Sequence, residues 1–485
     1  MFTFCVALVA LVVGYLLYGA FVERVFGVQP ERTTPCHRLS DGVDYIPLPT
    51  WRVYLIQFLN IAGTGPIFGA IMGILFGPAA YLWIVFGCIF MGAVHDYLCG
   101  MISLRKDGAS LPEMVGDELG TVARQAMRVL SIVLLVLVGT VFVTTSAGLL
   151  ATMSDGALGY DVMQWKTIFL LLVFLYCVLA TLLPIDALIG RLYPIFGAAL
   201  LVMAIGVGFG IFTQSGWLPE ITDAPFQSHH PKGLSIFPFL CITIACGAIS
   251  GFHATQSPMM ARCMKSEKLG RPVFYGAMIT EGLVALVWAA VSSYFFFDGG
   301  AAEVGSDLSA AAPTVVTKIS NAWLGVFGGI LAILGVVAAP ITTGDTALRS
   351  ARLTLAEALR LDQKPLGNRL KICIPLFAVV CLLIWYNIAD ENGFNTIWRY
   401  FGWANQTLSI FTLWAITVYL AKNKGKLWYM IAEIPAIFMT VVCLTYIFTQ
   451  KIGFGLPLGI GLGISLIIVV ILNVVFFVKV LAKRN

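Results

Sequence analysis

Asn60-Ile61-Ala62-Gly63-Thr64-Gly65-Pro66, followed by Gly69, Gly73 and Gly77, lies inside an apolar run of bilayer-spanning length, yet an unbroken helix handles it badly. Pro66 has no N–H, so the carbonyl of Ala62 loses its helical partner, and Gly63 and Gly65 lower the cost of leaving helical geometry. A later run holds a second such stretch, Ser250-Gly251-Phe252-His253-Ala254-Thr255-Gln256-Ser257-Pro258. There Pro258 frees the carbonyl of Ala254, and Ser257-Pro258 reads as the cap and first residue of a new helix. Taken singly, either stretch is read equally well as a proline kink in a membrane helix. The spacing of Gly65, Gly69, Gly73 and Gly77 puts small residues on one helix face, suited to close backbone approach.

The surrounding composition sets the class. Of 485 residues, 59% are hydrophobic and 11% charged, against about 25% charged in a soluble domain. Thirty basic and 25 acidic residues cannot coat a soluble chain of this length, which excludes a soluble enzyme, a nucleic-acid binder and a secreted scaffold. The eleven cysteines form no Cys-x-x-Cys pair and read as small packing residues, not as a metal site or disulfide frame. Lipid admits only helices or closed barrels, and long apolar runs without alternation select helices. The expectation is an all-α, polytopic transmembrane helical bundle.

Runs of about 20 residues fall near 3–22, 53–76, 79–103, 129–152, 167–183, 193–214 and 236–262, then near 273–297, 323–344, 371–389, 400–421, 427–447 and 456–481. That makes about 13 spans, the first read as a retained helix and not as a signal peptide. Twenty-five of the thirty Lys and Arg fall in alternate loops, and the other side holds only Lys166, Lys232, Lys318, Arg399 and Lys451. By the positive-inside rule the N-terminus faces outside and the C-terminus inside.

The two interrupted runs are the second and the seventh, five spans apart and entering the membrane from opposite sides. Residues 53–214 and 236–421 are therefore expected to be two five-helix halves of opposite topology, a LeuT-like 5+5 inverted repeat with its site at mid-membrane. Residues 1–52 supply a peripheral helix and loop before the halves, and 427–485 two peripheral helices after them.

A broken helix presents amide ends suited to a carboxylate and frayed carbonyls suited to a cation. Gly63, Thr64, Gly65, Ser250, Gly251, His253, Gln256 and Ser257 are the candidate substrate-binding residues. Ala62, Thr342 and Thr343 are candidates for Na+, the one cofactor-like ion the sequence suggests. Asp345 either joins them or caps a helix beginning near Thr346. Ionisable residues inside spans are functional suspects because unpaired burial costs several kcal/mol, about 2.5–3.5 for Asp on insertion scales. His95, Asp96 and Glu281 are accordingly candidates for coupling. For Asp96 the simpler account is snorkelling or pairing with Arg, and Glu281 is read equally well as a hydrogen-bonded packing tie. No phosphate-binding loop with Gly-Lys-Ser/Thr occurs, so neither an enzyme nor an ATP-driven pump is expected.

Specific strings add a resemblance. The chain resembles the carbon starvation protein A family of bacterial transporters in Pro35-Cys36-His37-Arg38-Leu39-Ser40-Asp41-Gly42-Val43-Asp44-Tyr45, Ile61–Pro66, Gly92-Ala93-Val94-His95-Asp96 and Gly247–Gln256. Tyr275-Gly276-Ala277-Met278 with Glu281-Gly282, Thr342–Ala347 and Phe401-Gly402-Trp403-Ala404-Asn405-Gln406 continue it. The chain departs from longer members in carrying Ile56-Gln57-Phe58 where they often carry a His pair. The resemblance implies import of pyruvate or short peptides across the bacterial cytoplasmic membrane, driven by an H+ or Na+ gradient. A membrane-embedded sensor for the same solute, without net transport, is the alternative.

Overall fold

The computed structural model describes residues 1–154, 157–184, 189–213, 218–222, 226–297, 312–389, 393–425 and 427–482. The expected span end at 214 and the basic residues Lys426, Lys483 and Arg484 lie outside them. The described residues form helices and loops, with no strand among them. In chain order the principal helices are α1 (Phe2–Phe26), α2 (Thr50–Ile61), α3 (Gly65–Phe76), α4 (Ala79–Arg105), α5 (Leu111–Leu119) and α6 (Thr121–Met153). They continue as α7 (Val162–Leu182), α8 (Ile189–Thr213), α9 (Ile236–Thr243), α10 (His253–Ala261), α11 (Glu267–Phe297) and α12 (Ala312–Ala332). The last are α13 (Ala338–Leu359), α14 (Leu366–Ala389), α15 (Gly393–Asn423), α16 (Met430–Thr449) and α17 (Leu458–Leu481).

Among the described residues nine helices are long and apolar enough to cross a membrane, or ten when α2 and α3 count as one bent span. The expected thirteen is not reached. The segments near 236–262, 323–344 and 400–421 are helical but fall outside that set. The first is interrupted, the second has a non-helical residue at Gly325 and a polar stretch from Thr342, and the third carries Asn405, Gln406, Ser409 and Thr412. Burial separates centre from edge. The apolar windows of α4 and α11 are 78% buried, whereas those of α1 and α17 are 28% and 17% buried. Leu171, Leu175 and Leu179 on α7 and Ile467, Val470 and Val474 on α17 leave apolar stripes facing outward, as lipid contact requires.

Both expected interruptions are present, one of them shifted. Helix α2 stops at Ile61, residues 62–64 are unwound, and α3 restarts with Pro66 in its first turn, at 45° to α2. The second interruption lies at residues 244–252, not at Ala254–Pro258. Gly247 there has φ +92°, a value side-chain-bearing residues rarely adopt. A Cβ on Gly251 would lie 2.2 Å from the carbonyl of Asn405. Pro258 is carried inside α10, and the Cys99 thiol approaches the freed Ala254 carbonyl at 3.8 Å. Ser257 is no cap: its hydroxyl donates to the His253 carbonyl at 3.0 Å within the helix.

The glycine face meets the other interruption. Cβ atoms on Gly65, Gly69 and Gly73 would lie 2.4 Å from Cys246 Sγ, 2.8 Å from the Thr243 carbonyl and 2.2 Å from Ile244 Cγ1. Only bare backbone lets the two broken segments lie this close.

On the face rich in basic residues, Asp41 Oδ1 accepts the amides of Val43, Asp44 and Tyr45 at 2.8–2.9 Å and fixes the loop before α2. Asp44 is thereby aimed at α13, where it meets Arg349 Nη1 at 2.9 Å and Arg352 Nη2 at 2.9 Å, all three buried. Arg262, just after α10, pairs with Glu357 near the end of α13 at 2.5 Å. Both broken spans are thus tied to one helix. Burial works against the charge of Asp44, but Arg352 and Arg349 outweigh it and hold the carboxyl below its usual range. Its stabilisation is therefore complete above the ordinary carboxylate value and lost only as pH falls through the lowered one, below about pH 4. Asp44→Ala strands two buried guanidiniums and should cost about 3–5 kcal/mol. A fall in the thermal midpoint of the detergent-solubilised protein at neutral pH, and a flatter response to acid than wild type, would register it.

Candidate functional site

The first interruption offers donors and acceptors side by side. Among the described residues, the amides of Gly63, Thr64, Gly65 and Ile67 meet no hydrogen-bond acceptor, and Pro66 has no N–H to give. These are the open end of α3, where the helix dipole favours a negative group. Asn60 and Gln57, one turn apart on α2, are buried with all four side-chain polar atoms unpartnered, and so is Thr64 Oγ1. Buried amides without partners cost free energy unless something polar sits among them.

Facing this turn is α13. Thr343 Oγ1 lies 2.9 Å from the Ala339 carbonyl and 3.4 Å from that of Leu59, and a Cβ on Gly63 would come within 2.8 Å of it. Thr342 does not face α2. Its hydroxyl donates to Ala338 and Ala339 of its own helix, and its carbonyl accepts from the Tyr193 hydroxyl at 2.6 Å. Asp345 is not a helix cap, because α13 runs through it unbroken from Ala338 to Leu359. Its carboxylate bonds the Tyr193 hydroxyl, away from the unwound turn.

The start of α10 is closed upon itself. The amides of His253, Ala254 and Thr255 donate to the carbonyls of Ser250, Gly251 and Phe252, at 3.3, 3.1 and 2.9 Å. The Phe252 amide donates to Asn405 Oδ1 at 2.6 Å, and Ser250 Oγ to the same oxygen at 3.1 Å. Gln406 Nε2 donates to the Ile249 carbonyl at 3.1 Å. The expectation that both restarted helices offer free N–H groups is corrected: α10 has used its own, and the open end is that of α3.

The three suspected ionisable residues cluster with His253, two of them directly and His95 through Asp96. Asp96 accepts from His95 Nδ1 and His253 Nδ1, each at 2.8 Å, and Glu281 Oε2 lies 3.6 Å from His253 Nε2, with all four side chains fully buried. Asp96 therefore neither snorkels nor pairs with Arg. Two imidazoles supply its partners at mid-bundle. Gln256, next along α10, donates to Thr255 Oγ1 at 2.9 Å and keeps Oε1 unpartnered.

The side-chain amides at these two turns form no motif in the sequence. Asn405 and Gln406, which hold the second interruption, stand out there only as an amide pair within an apolar run. Gln57, Asn60 and Tyr193 carry no spacing signal.

The model of the family described as carbon starvation protein CstA matches residues 1–163, 150–325 and 300–446. The chain belongs to that family. It is 45% identical, over 61% of its length and 91% of the relative's, to an uncharacterized membrane protein of Haemophilus influenzae. It is 29% identical to the peptide transporter CstA of Bacillus subtilis, over 82% of this chain and 81% of that one. With the peptide transporter CstA of Escherichia coli K12 the identity is 26%, over 91% and 79%. In fold it matches MhsT in complex with L-phenylalanine at a TM-score of 0.59 and 12% identity, covering 81% of this chain and 96% of that one. It also matches a substrate-bound, outward-open Na+-coupled sialic acid symporter at 0.53 and 16%, covering 97% and 96%. The fold is all-α and LeuT-like, and the protein is a multi-pass membrane transporter of a family with several members named peptide transporters.

Because Gly251 lies against the backbone of Asn405 and Ser409, Gly251→Ala should force α10 and α15 apart and lower stability by about 1–3 kcal/mol or more. Gly402→Ala, with open space around the added methyl, should leave the unfolding midpoint within about 0.5 kcal/mol of wild type. Thermal unfolding of the two variants side by side reads the contrast.

Proposed function

We propose that the chain is a secondary active transporter that imports a small organic carboxylate, pyruvate or a short peptide, coupled to Na+ by alternating access. Residues 53–214 and 236–421 are its two halves, and the N-terminus lies outside and the C-terminus inside. The observation carrying this reading is the juxtaposition at the first interruption: four unpartnered amides around Pro66, beside carbonyls and a threonine hydroxyl. The amides of Gly63, Thr64, Gly65 and Ile67 take the carboxylate, with Asn60, Gln57 and Thr64 adding hydrogen bonds. The oxygens of Leu59, Ala62, Ala339 and Thr343 take the cation, as frayed half-helix ends do in transporters of this architecture.

Peptides are the solutes named in the family's transporter relatives, and a carboxylate is the group that they share with pyruvate. A cation and an anion held on opposite sides of one unwound turn stabilise each other, which is the physical basis of their coupling. The second interruption, clamped by Asn405 and Gln406, is the wall against which the α2–α3 turn closes.

In proteoliposomes, labelled pyruvate or a labelled dipeptide should accumulate under an imposed Na+ gradient and fail to do so under a pH gradient alone. Thr343→Val, which removes the hydroxyl and keeps the shape, should raise the Na+ concentration for half-maximal uptake at least about tenfold, a loss of some 1.4 kcal/mol. Equal uptake without Na+, or unchanged Na+ dependence in Thr343→Val, would reject the coupling. Binding of the solute without accumulation would instead favour a sensor.

A further inference from the structure

His253 opens α10 with its ring fixed from one side only. Its Nδ1 lies 2.8 Å from Asp96 Oδ2, and the other oxygen of Asp96 is held at 2.8 Å by His95 Nδ1. A carboxylate only accepts, so His253 donates from Nδ1, and in the neutral ring, the form that binds a metal, Nε2 is a bare lone pair. That Nε2 meets no hydrogen-bond partner, and neither does either oxygen of Glu281 on α11, although both side chains are fully buried. Their closest approach, 3.6 Å, is too long for a hydrogen bond. Cys246, in the unwound segment between α9 and α10, adds a sulfur. Its Sγ, a ring nitrogen of His253 and an oxygen of Glu281 lie within 4.8 Å of one another. Acceptors gathered in one buried place, with the Gly247 amide and the Cys246 thiol as the neighbouring donors, are costly unless a cation joins them.

We propose that Cys246, His253 and Glu281 form a binding site for a divalent transition-metal ion of the Zn2+ class. Sulfur, imidazole nitrogen and carboxylate oxygen are the donor set that such ions prefer, whereas Mg2+ and Ca2+ demand oxygen shells. Bonds of about 2.0–2.3 Å around a tetrahedral ion place ligand atoms roughly 3.3–3.8 Å apart. The Nε2–Glu281 separation already falls in that range, and the sulfur lies within 4.8 Å of both. Asp96 sits where an outer carboxylate belongs: it fixes the tautomer and the ring plane of the ligating histidine, and His95 fixes Asp96 in turn. Coordination takes Cys246 as the thiolate, its proton released to solvent as the ion binds. This assignment departs from the packing role that the sequence suggests for the cysteines.

The three ligands come from the second interruption, from α10 and from α11, and Cys246 is also the residue that Gly65 packs upon. A bound ion therefore staples the second interruption to α11 and stops its movement against the first. Binding stands by itself; this consequence for uptake rests on the transport reading above.

Co2+ is the probe, since Zn2+ is spectroscopically silent. The purified protein in detergent should take up one equivalent of Co2+ with a thiolate-to-cobalt charge-transfer band and tetrahedral visible bands, all abolished by added Zn2+. Cys246→Ser should lose the charge-transfer band, and Cys381→Ser, which alters an exposed cysteine, should keep it. Asp96→Asn should keep the band but weaken the affinity about 10–100-fold, a signature that a purely structural Asp96 would not give. No band in the wild type, or the same band in Cys246→Ser, overturns the site. In proteoliposomes Zn2+ should block uptake in the wild type, and unaffected uptake by the Zn2+-loaded protein overturns the staple. Absence of any uptake without metal would be a failure of the transport reading, and the cobalt spectrum would still decide the site.

Discussion

The rest of the structure depends on two unwound segments lying against each other with almost no side-chain matter between them. Gly65, Gly69 and Gly73 touch Cys246, the Thr243 carbonyl and Ile244 at distances that any Cβ would violate. In lipid there is no hydrophobic drive to press helices together, so close approach of small-residue faces must supply the association through dispersion. The approach also solves a polar problem. Unwound backbone at membrane depth survives only where it is buried in protein or lines a cavity, and each interruption helps bury the other.

The two interruptions are not equivalent, and the difference lies in where their hydrogen bonds go. At the second, the first turn of α10 commits its amides to the carbonyls just before it, the Phe252 amide goes to Asn405, and Gln406 covers the Ile249 carbonyl. The first leaves four amides open beside buried Asn60 and Gln57. The proposed solute site therefore uses the open helix end of α2–α3, with α10 and α15 as its support.

Much of this was legible. Hydropathy runs gave the class, and Pro66 among glycines gave the first interruption to the residue, because a missing N–H and low-cost unwinding coincide there. Pro258 misled for a physical reason: a proline inside a helix frees one carbonyl, and a neighbouring thiol can answer it. What set the second interruption was Gly247 and Gly251, whose need for positive φ or for close approach depends on neighbours that a single sequence does not reveal. Asp96 was misassigned similarly. Its partners His95 and His253 are far more informative together than apart, yet 157 residues separate Asp96 from His253, and no periodicity links α4 to α10. Thr343 could be picked out from its threonine pair, but the choice between Thr342 and Thr343 follows from which face of α13 meets α2.

Helix α13 connects these parts. It touches the first interruption through Thr343, holds the lead into α2 through Asp44 with Arg349 and Arg352, and holds the exit of α10 through Arg262 and Glu357. Ser350 also donates to the Thr255 carbonyl on α10. A cation at Thr343 therefore binds the same element that latches both broken spans on the basic face. The ion and the latches need no wire between them: a single stiff helix, buried from Ala338 through Thr354 apart from Ile341, transmits a displacement at one end to the other because close-packed interiors do not absorb it. In the proposed cycle, losing the cation loosens the middle of α13 and the α2 turn together. The buried Asp44 pairs then become the barrier that separates one orientation of the carrier from the next, since opening that face requires hydrating three charges at once.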